Sequence, residues 1–327
     1  MRQTAQVWWR PPTRQEAYLP EGPRCLYWQG QLWIIWVNIQ LGPEAVQGQI
    51  ALCRWREEGA DTLRLILCPG RPGFVLPTDR EGIVLVGMDQ ALYYLDLACE
   101  QWSSPLVVLP QAHPRTIIND GEVTPDGQAI VFGTKDLLFR APLGHLYLYH
   151  LQQRRLSVLA DKQICSNGKV IRSTSEGVTL YDIDSPTRQV RQYRLDIDSG
   201  QAQFVGVALD LQNDVAFPDG MCAADDNSVI IAFYHPEYSS AGRAVRFDLS
   251  TGTAVDQWET PGSPRVTCPL LIPTRSTADT SVSLLLTTCD EGMSAELLAR
   301  SPNAGCLFVA PTHLSPAPPL SLVRFLP

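Results

Sequence analysis

Ala91-Leu92-Tyr93-Tyr94-Leu95-Asp96-Leu97 is the stretch whose reading decides the fold. An apolar, aromatic strand runs into a polar turn, after which a second strand begins. The same figure returns at His145–Leu151 and at Arg243–Leu249, with weaker copies at Leu52–Trp55, Val190–Leu195 and Cys306–Ala310. One anchor per copy gives Trp55, Leu95, Tyr149, Tyr193, Phe247 and Phe308. Their mean spacing is about 50 residues, the size of one four-stranded propeller blade. Six copies predict six blades.

Outward from these anchors, short runs rich in Val, Ile, Leu, Tyr and Trp continue to the end of the chain, divided by Asp-Gly, Glu-Gly and Pro-Gly turns. Only Ser294–Arg300 has the pattern of a helical turn or two. The expected fold is all-β, a six-bladed β-propeller forming one domain over residues 1–327. A two-sheet sandwich rarely needs this many strands. The Pro-rich segment Pro311–Pro319 is expected to lead to a last strand, Leu322–Leu326, sharing a blade with the N-terminal strand and so closing the ring.

The chain has 327 residues, 45% of them hydrophobic and 18% charged, with a net charge of −8. This is a globular composition with ample core material. No cluster of Lys and Arg marks a nucleic-acid or membrane surface. The nine cysteines include no C-x-x-C, and most lie in apolar runs. They read as buried thiols of a reducing compartment. The segment 1–12 has no apolar core of the signal-peptide kind, and Leu32–Ile39, the longest apolar run, is too short to span a bilayer. A cytoplasmic protein is expected.

Four short segments carry the chemistry: Glu21-Gly22-Pro23, Asn119-Asp120-Gly121, Asn167-Gly168 and Pro218-Asp219-Gly220-Met221. Each sets an oxygen-bearing side chain beside glycine, and Glu21, Asn119, Asn167 and Asp219 are separated by about two, one and one repeats. A propeller brings equivalent loops of successive blades to one mouth of its channel, where these four oxygens would meet around one cation. Two carboxylates and two amide oxygens suit Ca²⁺, Mg²⁺ or Mn²⁺ better than Zn²⁺, which favours His and Cys. The five histidines show no H-E-x-x-H spacing. Each motif also has a plain reading: Glu21 as a solvated loop acid, Asn119 and Asn167 as turn residues tolerating left-handed backbone geometry, and Asp219 as a plain Pro-Asp-Gly turn, as Pro125-Asp126-Gly127 is read.

Taken in order, the segments resemble the family of senescence marker protein (regucalcin), gluconolactonase and luciferin-regenerating enzyme. Glu21-Gly22-Pro23 with the strand Leu32–Val37 is similar to the family's opening E-G-P and its tryptophan-bearing strand. Asn119-Asp120-Gly121-Glu122-Val123 is similar to its N-D-G-x-V, and Ser166-Asn167-Gly168 with Asp184-Ser185 to its N-G and D-S pair. Pro218-Asp219-Gly220-Met221-Cys222 is similar to its P-D-G-M-C, and Asp290-Glu291-Gly292-Met293 followed by Gly305-Cys306-Leu307-Phe308 to its closing segment. The resemblance implies a six-bladed propeller with lactone-opening activity and one central divalent cation, Ca²⁺ first, with Mg²⁺, Mn²⁺ and Zn²⁺ as alternatives. It implies Glu21, Asn167 and Asp219 as metal ligands, and Asn119 as a polar group touching metal, its water or substrate. Asp219 would also be catalytic, as general base or as nucleophile.

The chain departs from that pattern at several places. Ile117 stands where sugar lactonases of the family carry a substrate-contacting Arg; the nearest basic residue is Arg115. Thr124 replaces the Asp after N-D-G-x-V, and Asn38 replaces the Asp of W-V-D. Pro269-Leu270-Leu271 replaces a glycine-rich turn. The expected function is a metal-dependent hydrolase opening a lactone or related ester, with Asn119 and Ile117 at the substrate. Its partner is a small molecule, with neither nucleic acid nor membrane, and the oligomeric state is open. The alternative is a cation-binding propeller without turnover, acting as a binding or regulatory module. Residues 234–242 read as an insertion, placing His235 and Tyr238 over the mouth.

Overall fold

The strand Gln31–Asn38 shows why the chain folds as it does. Leu32, Ile34 and Trp36 face one way, Trp33, Ile35 and Val37 the other, and all six are buried. A strand apolar on both faces must sit in a sheet packed on both sides. In the computed structural model, which describes residues 1–110, 112–273, 282–314 and 321–326, it is the second strand of such a sheet. The described residues form six sheets in sequence order, the blades of a β-propeller.

Blade 1 runs from the inner strand Pro20–Trp28 through Gln31–Asn38 and Gln49–Arg54 to the outer strand Asp61–Leu67. Blade 2 begins with Pro72–Pro77 and Ile83–Met88, followed by Ala91–Asp96; its outer edge is split into Gln101–Trp102 and Val107–Val108. The inner strands of blades 3 to 6 are Thr116–Val123, Ser166–Thr174, Phe217–Ala223 and Val266–Pro273. Five of the anchors read from the sequence lie on the third strand of their blade, and Trp55 follows the third strand of blade 1 by one residue.

The core is divided among the blade interfaces, with one buried apolar cluster between each neighbouring pair. The cluster joining blade 6 to blade 1 contains Trp8, Trp9, Trp36 and Trp55, so the ring is closed. Closure uses the N-terminal strand Gln6–Trp9, which pairs with Leu307–Pro311 and completes blade 6. The preceding Arg2–Thr4 runs parallel to the outer strand of blade 5, Ala254–Pro261. The shared closing blade is therefore as expected, but Leu322–Leu326 is not its strand. Val323 makes a single parallel bridge to Thr78, and Phe325 packs on Tyr94, 4.8 Å between ring centroids, at the foot of blade 2. Of the Pro-rich segment, residues 315–320 lie outside the described residues. The helical turn foreseen near Ser294 is present as Ala295–Ala299, with the Ser294 hydroxyl accepting from the Leu297 N–H. No helix among the described residues is long and apolar enough to cross a membrane.

Candidate metal and substrate site at the channel mouth

The inner strands share a local irregularity. Each breaks register with its neighbour at one level: between Glu21 and Arg24, Pro72 and Phe74, Ile118 and Asp120, Ser166 and Lys169, Pro218 and Met221, and Val266 and Cys268. A β-bulge re-aims side chains that regular pleating would send into the blade interfaces. Glu21, Asn119, Asn167 and Asp219 all lie at these bulges. Equivalent positions in blades 2 and 6 hold Gly73 and Thr267. The glycine motifs are thus bulges inside strands, not the connecting turns of their plain reading. Pro125-Asp126-Gly127, by contrast, is the turn it was taken for, joining the first two strands of blade 3.

Inner strands meet closely around the axis. A Cβ at Gly168 would stand 2.7 Å from the Asp219 carbonyl oxygen and nearer still to the Met221 nitrogen. Only glycine permits that approach.

Side-chain bonds then tie neighbouring blades together. The Asn119 Nδ2 donates to the Ser166 carbonyl at 2.9 Å and to Asn167 Oδ1 at 3.2 Å. Asn167 Nδ2 donates to Ser185 Oγ at 3.0 Å, and the Ser185 hydroxyl donates to the Pro218 carbonyl beside Asp219 at 2.6 Å. The Thr267 hydroxyl donates to the Pro20 carbonyl at 2.6 Å, beside Glu21. Behind Asn167, Lys169 and Asp182 form a fully buried ion pair, N–O 3.3 Å, and the Lys169 ammonium also donates to the Asn167 carbonyl. Below the bulges Arg24 reaches from blade 1 to blade 3, where it donates to the Gly121 carbonyl and pairs with Glu122 at 3.3 Å.

The carboxylates at this level strain against one another electrostatically. Burial, then the Asp120 charge, pushes the Glu21 carboxyl up from 4.5 to about 8. Burial, then the Glu21 charge, raises Asp219 well above the carboxylate range. Glu291, on the segment after the second strand of blade 6, adds to both effects, while Lys135 opposes them. The sequence reading gave neither residue a role, although Glu291 lies in the closing motif it quoted. Lys135 lies near the end of the second strand of blade 3, in a run, Gly133-Thr134-Lys135-Asp136, with no motif to mark it.

Ile117 is 2% exposed. It belongs to an apolar cluster that includes Ile39, Met88, Leu137, Tyr234 and Cys289. Each of these five ends, or directly follows, the second strand of its blade on the side of the bulges, so they come from blades 1, 2, 3, 5 and 6. Blade 4 places Ser185 there. Arg115 does not stand in for the missing arginine; it is turned to Asp136, bound at 2.6 Å. Thr124 sits at the opposite end of its strand, where its hydroxyl donates to Asp126 and to the Ala129 carbonyl, so this departure lies outside the site. Pro269-Leu270-Leu271 lies within the inner strand of blade 6. The connection 235–240 is on the mouth side, but Tyr238 is exposed there under the Arg300 guanidinium.

Among the described residues no group of three or more His, Cys, Asp and Glu side chains is arranged to hold a metal ion. The four-oxygen set is of another kind, two carboxylates with two carboxamides. Its chemistry fits a hard cation. Both carboxamide nitrogens are turned onto protein acceptors, and burial and repulsion raise both acids in spite of the opposing charge of Lys135.

A family profile described as SMP-30/Gluconolactonase/LRE-like region matches residues 19–278. An uncharacterised protein of Sulfolobus acidocaldarius is 28% identical over 62% of this chain and 66% of its own length. Regucalcin of Danio rerio is 29% identical over 60% of this chain and 62% of its own length. The chain thus spans slightly less than two thirds of these two relatives. L-arabinolactonase of Azospirillum brasilense is 28% identical over 86% of this chain and 84% of its own. Among solved structures, a calcium-binding regucalcin from Agrobacterium tumefaciens superposes with a TM-score of 0.80 at 17% identity, covering 100% of this chain and 99% of its own. A luciferin-regenerating enzyme gives 0.74 at 15% identity, covering 98% and 100%. At these identities the structures speak for the fold alone, an all-β six-bladed propeller.

Proposed function

We propose, for a chain that belongs to the SMP-30/Gluconolactonase/LRE-like family, a metal-dependent hydrolase that opens a lactone or related ester at the channel mouth. The observation that carries this reading is the alignment of Glu21, Asn119, Asn167 and Asp219 at matching bulges of four inner strands. These four residues would hold one divalent cation, Ca²⁺ before Mg²⁺, Mn²⁺ or Zn²⁺. Such a cation, when bound, polarises a carbonyl and holds a water.

The protein's own residues do the rest. Asp219, ionised, takes the proton of the attacking water, or attacks the carbonyl carbon itself. The Ser185 bond to the Pro218 carbonyl fixes the backbone that aims it. Asn119 orients the substrate, and the apolar rim with Ile117 excludes water from the reacting end. A relative named as a lactonase supports the reaction class. All nine cysteines are free, which supports a reducing compartment, the cytoplasm.

The test is a lactone panel assayed with added Ca²⁺, Mn²⁺ and Zn²⁺ and again with chelator. Turnover on at least one lactone, abolished by chelator, is the expected result. Apolar lactones are expected to outrun gluconolactone, because Ile117 supplies none of the guanidinium donors that would bind sugar hydroxyls. Ile117 also gives the second reading its observation. Cation binding with no turnover anywhere on the panel would leave the non-catalytic propeller as the function.

The same site predicts a pH dependence of stability. Glu21 is raised from 4.5 to about 8 in the metal-free fold. Below about 4.5 both folded and unfolded chains hold the proton, and nothing is lost. Between about 4.5 and about 8 the unfolded chain ionises first, so folding becomes less favourable as pH rises. Asp219 shifts the same way. In chelator the melting temperature should fall from pH 5 to pH 8.5, and saturating Ca²⁺ should restore more at the higher pH. Equal Ca²⁺ stabilisation at both would sink the assignment of these acids as ligands.

A further inference from the structure

Lys135 is a buried residue whose ammonium has no partner among the described residues. The residue is 4% exposed, its Nζ keeps a little open surface, and no acceptor among the described residues lies within hydrogen-bonding reach. Its other neighbours do not explain it. The ammonium is 5.6 Å from the Phe139 ring centroid, and its cross-strand neighbour is Ile117. A charge carried on a buried stem, with an open face and no protein partner, is placed to meet a ligand.

Its placement is equally specific. A backbone bridge joins Lys135 to Cys165 of the next blade, two residues before Asn167. Asn119 and Asn167 both direct their Nδ2 groups toward the sulfur of that same Cys165, at 3.7 and 3.6 Å. Lys135 therefore stands at the edge of the oxygen set, on the rim where Ile117 and Leu137 are its apolar neighbours. The carboxylates it acts on, Asp219 and Glu21, also feel the charges of Asp120 and Glu291. Lys135 acts on Asp219, Glu21 and Cys165, favouring their ionised forms. A divalent cation on Glu21 and Asp219 would claim the same two carboxylates and leave the ammonium free for an anion.

We propose that Lys135 is a substrate-contacting residue that donates to the carbonyl oxygen of the lactone as it gains charge, and then to the carboxylate of the product. This rests on the hydrolase reading above. The step is balanced by one water. Its oxygen bonds to the carbonyl carbon, the carbonyl oxygen takes up the negative charge, and Asp219 takes the proton. The ring C–O bond then breaks, the ring oxygen receives that proton, the acid so formed gives up the remaining water proton to solvent, and a hydroxy-carboxylate leaves. Lys135 keeps its own protons throughout. The inference fixes the product class: whatever the rest of the substrate, its acyl end becomes a carboxylate held against this ammonium.

The test uses the whole protein with saturating Ca²⁺. Calorimetric titration with 4-hydroxybutyrate compares wild type, Lys135→Met and Lys135→Arg. Lys135→Met should bind the carboxylate about 10- to 100-fold more weakly, as expected for a lost charge-assisted bond, and Lys135→Arg should recover most of it. On a lactone that wild type hydrolyses, Lys135→Met should lower kcat by about 10²-fold with little change in KM. Ca²⁺ affinity should stay level or tighten, because a like charge is removed; a loss there would show a structural role and overturn the assignment. Equal carboxylate binding by wild type and Lys135→Met, or no binding by wild type, overturns it too. Absence of lactone turnover in wild type would sink the hydrolase reading instead, and the carboxylate titration would then decide Lys135 alone.

Discussion

Asp219→Asn is expected to hydrolyse its lactone about 10²–10⁴-fold more slowly than the wild type, the range for loss of a general base. Asn keeps an oxygen at the same place, so the ligand position is retained while the proton acceptor is lost. The backbone should hold. The Pro218 carbonyl still receives the Ser185 hydroxyl, and the bulge is set by the tight packing of inner strands rather than by the carboxylate. Ca²⁺ binding should weaken but persist. Asp126→Asn is the internal control. This Asp sits in the other Pro-Asp-Gly, exposed at the far end of blade 3, where it accepts from Thr124 and from the Gln128 N–H. Asn can accept both bonds, and activity should be unchanged. Lactone kinetics and metal titration on both variants decide the matter. Wild-type turnover by Asp219→Asn would end its catalytic assignment, even with the propeller and cation intact.

The second large effect is expected from a methyl group. Gly168→Ala places a Cβ against backbone atoms of Asp219 and Met221, which cannot rotate out of the way. Over-packing of this kind costs about 1–3 kcal/mol. The strand that must yield is the one carrying Asp219, so the cation site should suffer beyond the loss of stability. The prediction is a lowered denaturation midpoint together with Ca²⁺ affinity reduced at least about tenfold under conditions where the variant is fully folded. Gly206→Ala is the matching control. It lies in the outer strand Gln201–Asp210 with nothing within 4 Å of an added Cβ. Its stability should change by no more than about 0.5 kcal/mol. A Gly168→Ala protein as stable and as avid for Ca²⁺ as wild type would show that the inner strands have slack the close approach denies.

Much of the architecture was legible because it is periodic. Tyr149, Tyr193, Phe247 and Phe308 mark third strands because each blade must bury the same strand against its neighbour, and burial writes itself into composition. The order of the glycine motifs was legible for a related reason. Each blade needs its bulge at one level, so the signal recurs at blade spacing. Leu322–Leu326 misled because an apolar run of strand length carries no information about its partner. Its Val323 finds Thr78, and the closing strand comes from Gln6–Trp9 instead.

The sequence by itself determined the six-fold repeat and the all-β class, and it supplied the four oxygen-bearing residues of the proposed site. These depend on local pattern and on side-chain chemistry. Tertiary structure alone decided how those residues are presented. A Pro-Asp-Gly reads the same whether it is a turn, as at Asp126, or a bulge in an inner strand, as at Asp219; the strand pairing makes the difference. Tertiary structure also brought Lys135 beside Cys165 and Asn167 of the next blade. A lone lysine in an apolar strand has no signature of its own. Its meaning comes from a buried stem, an ammonium with no protein partner and the carboxylates it acts on, all of which exist only once the ring has closed.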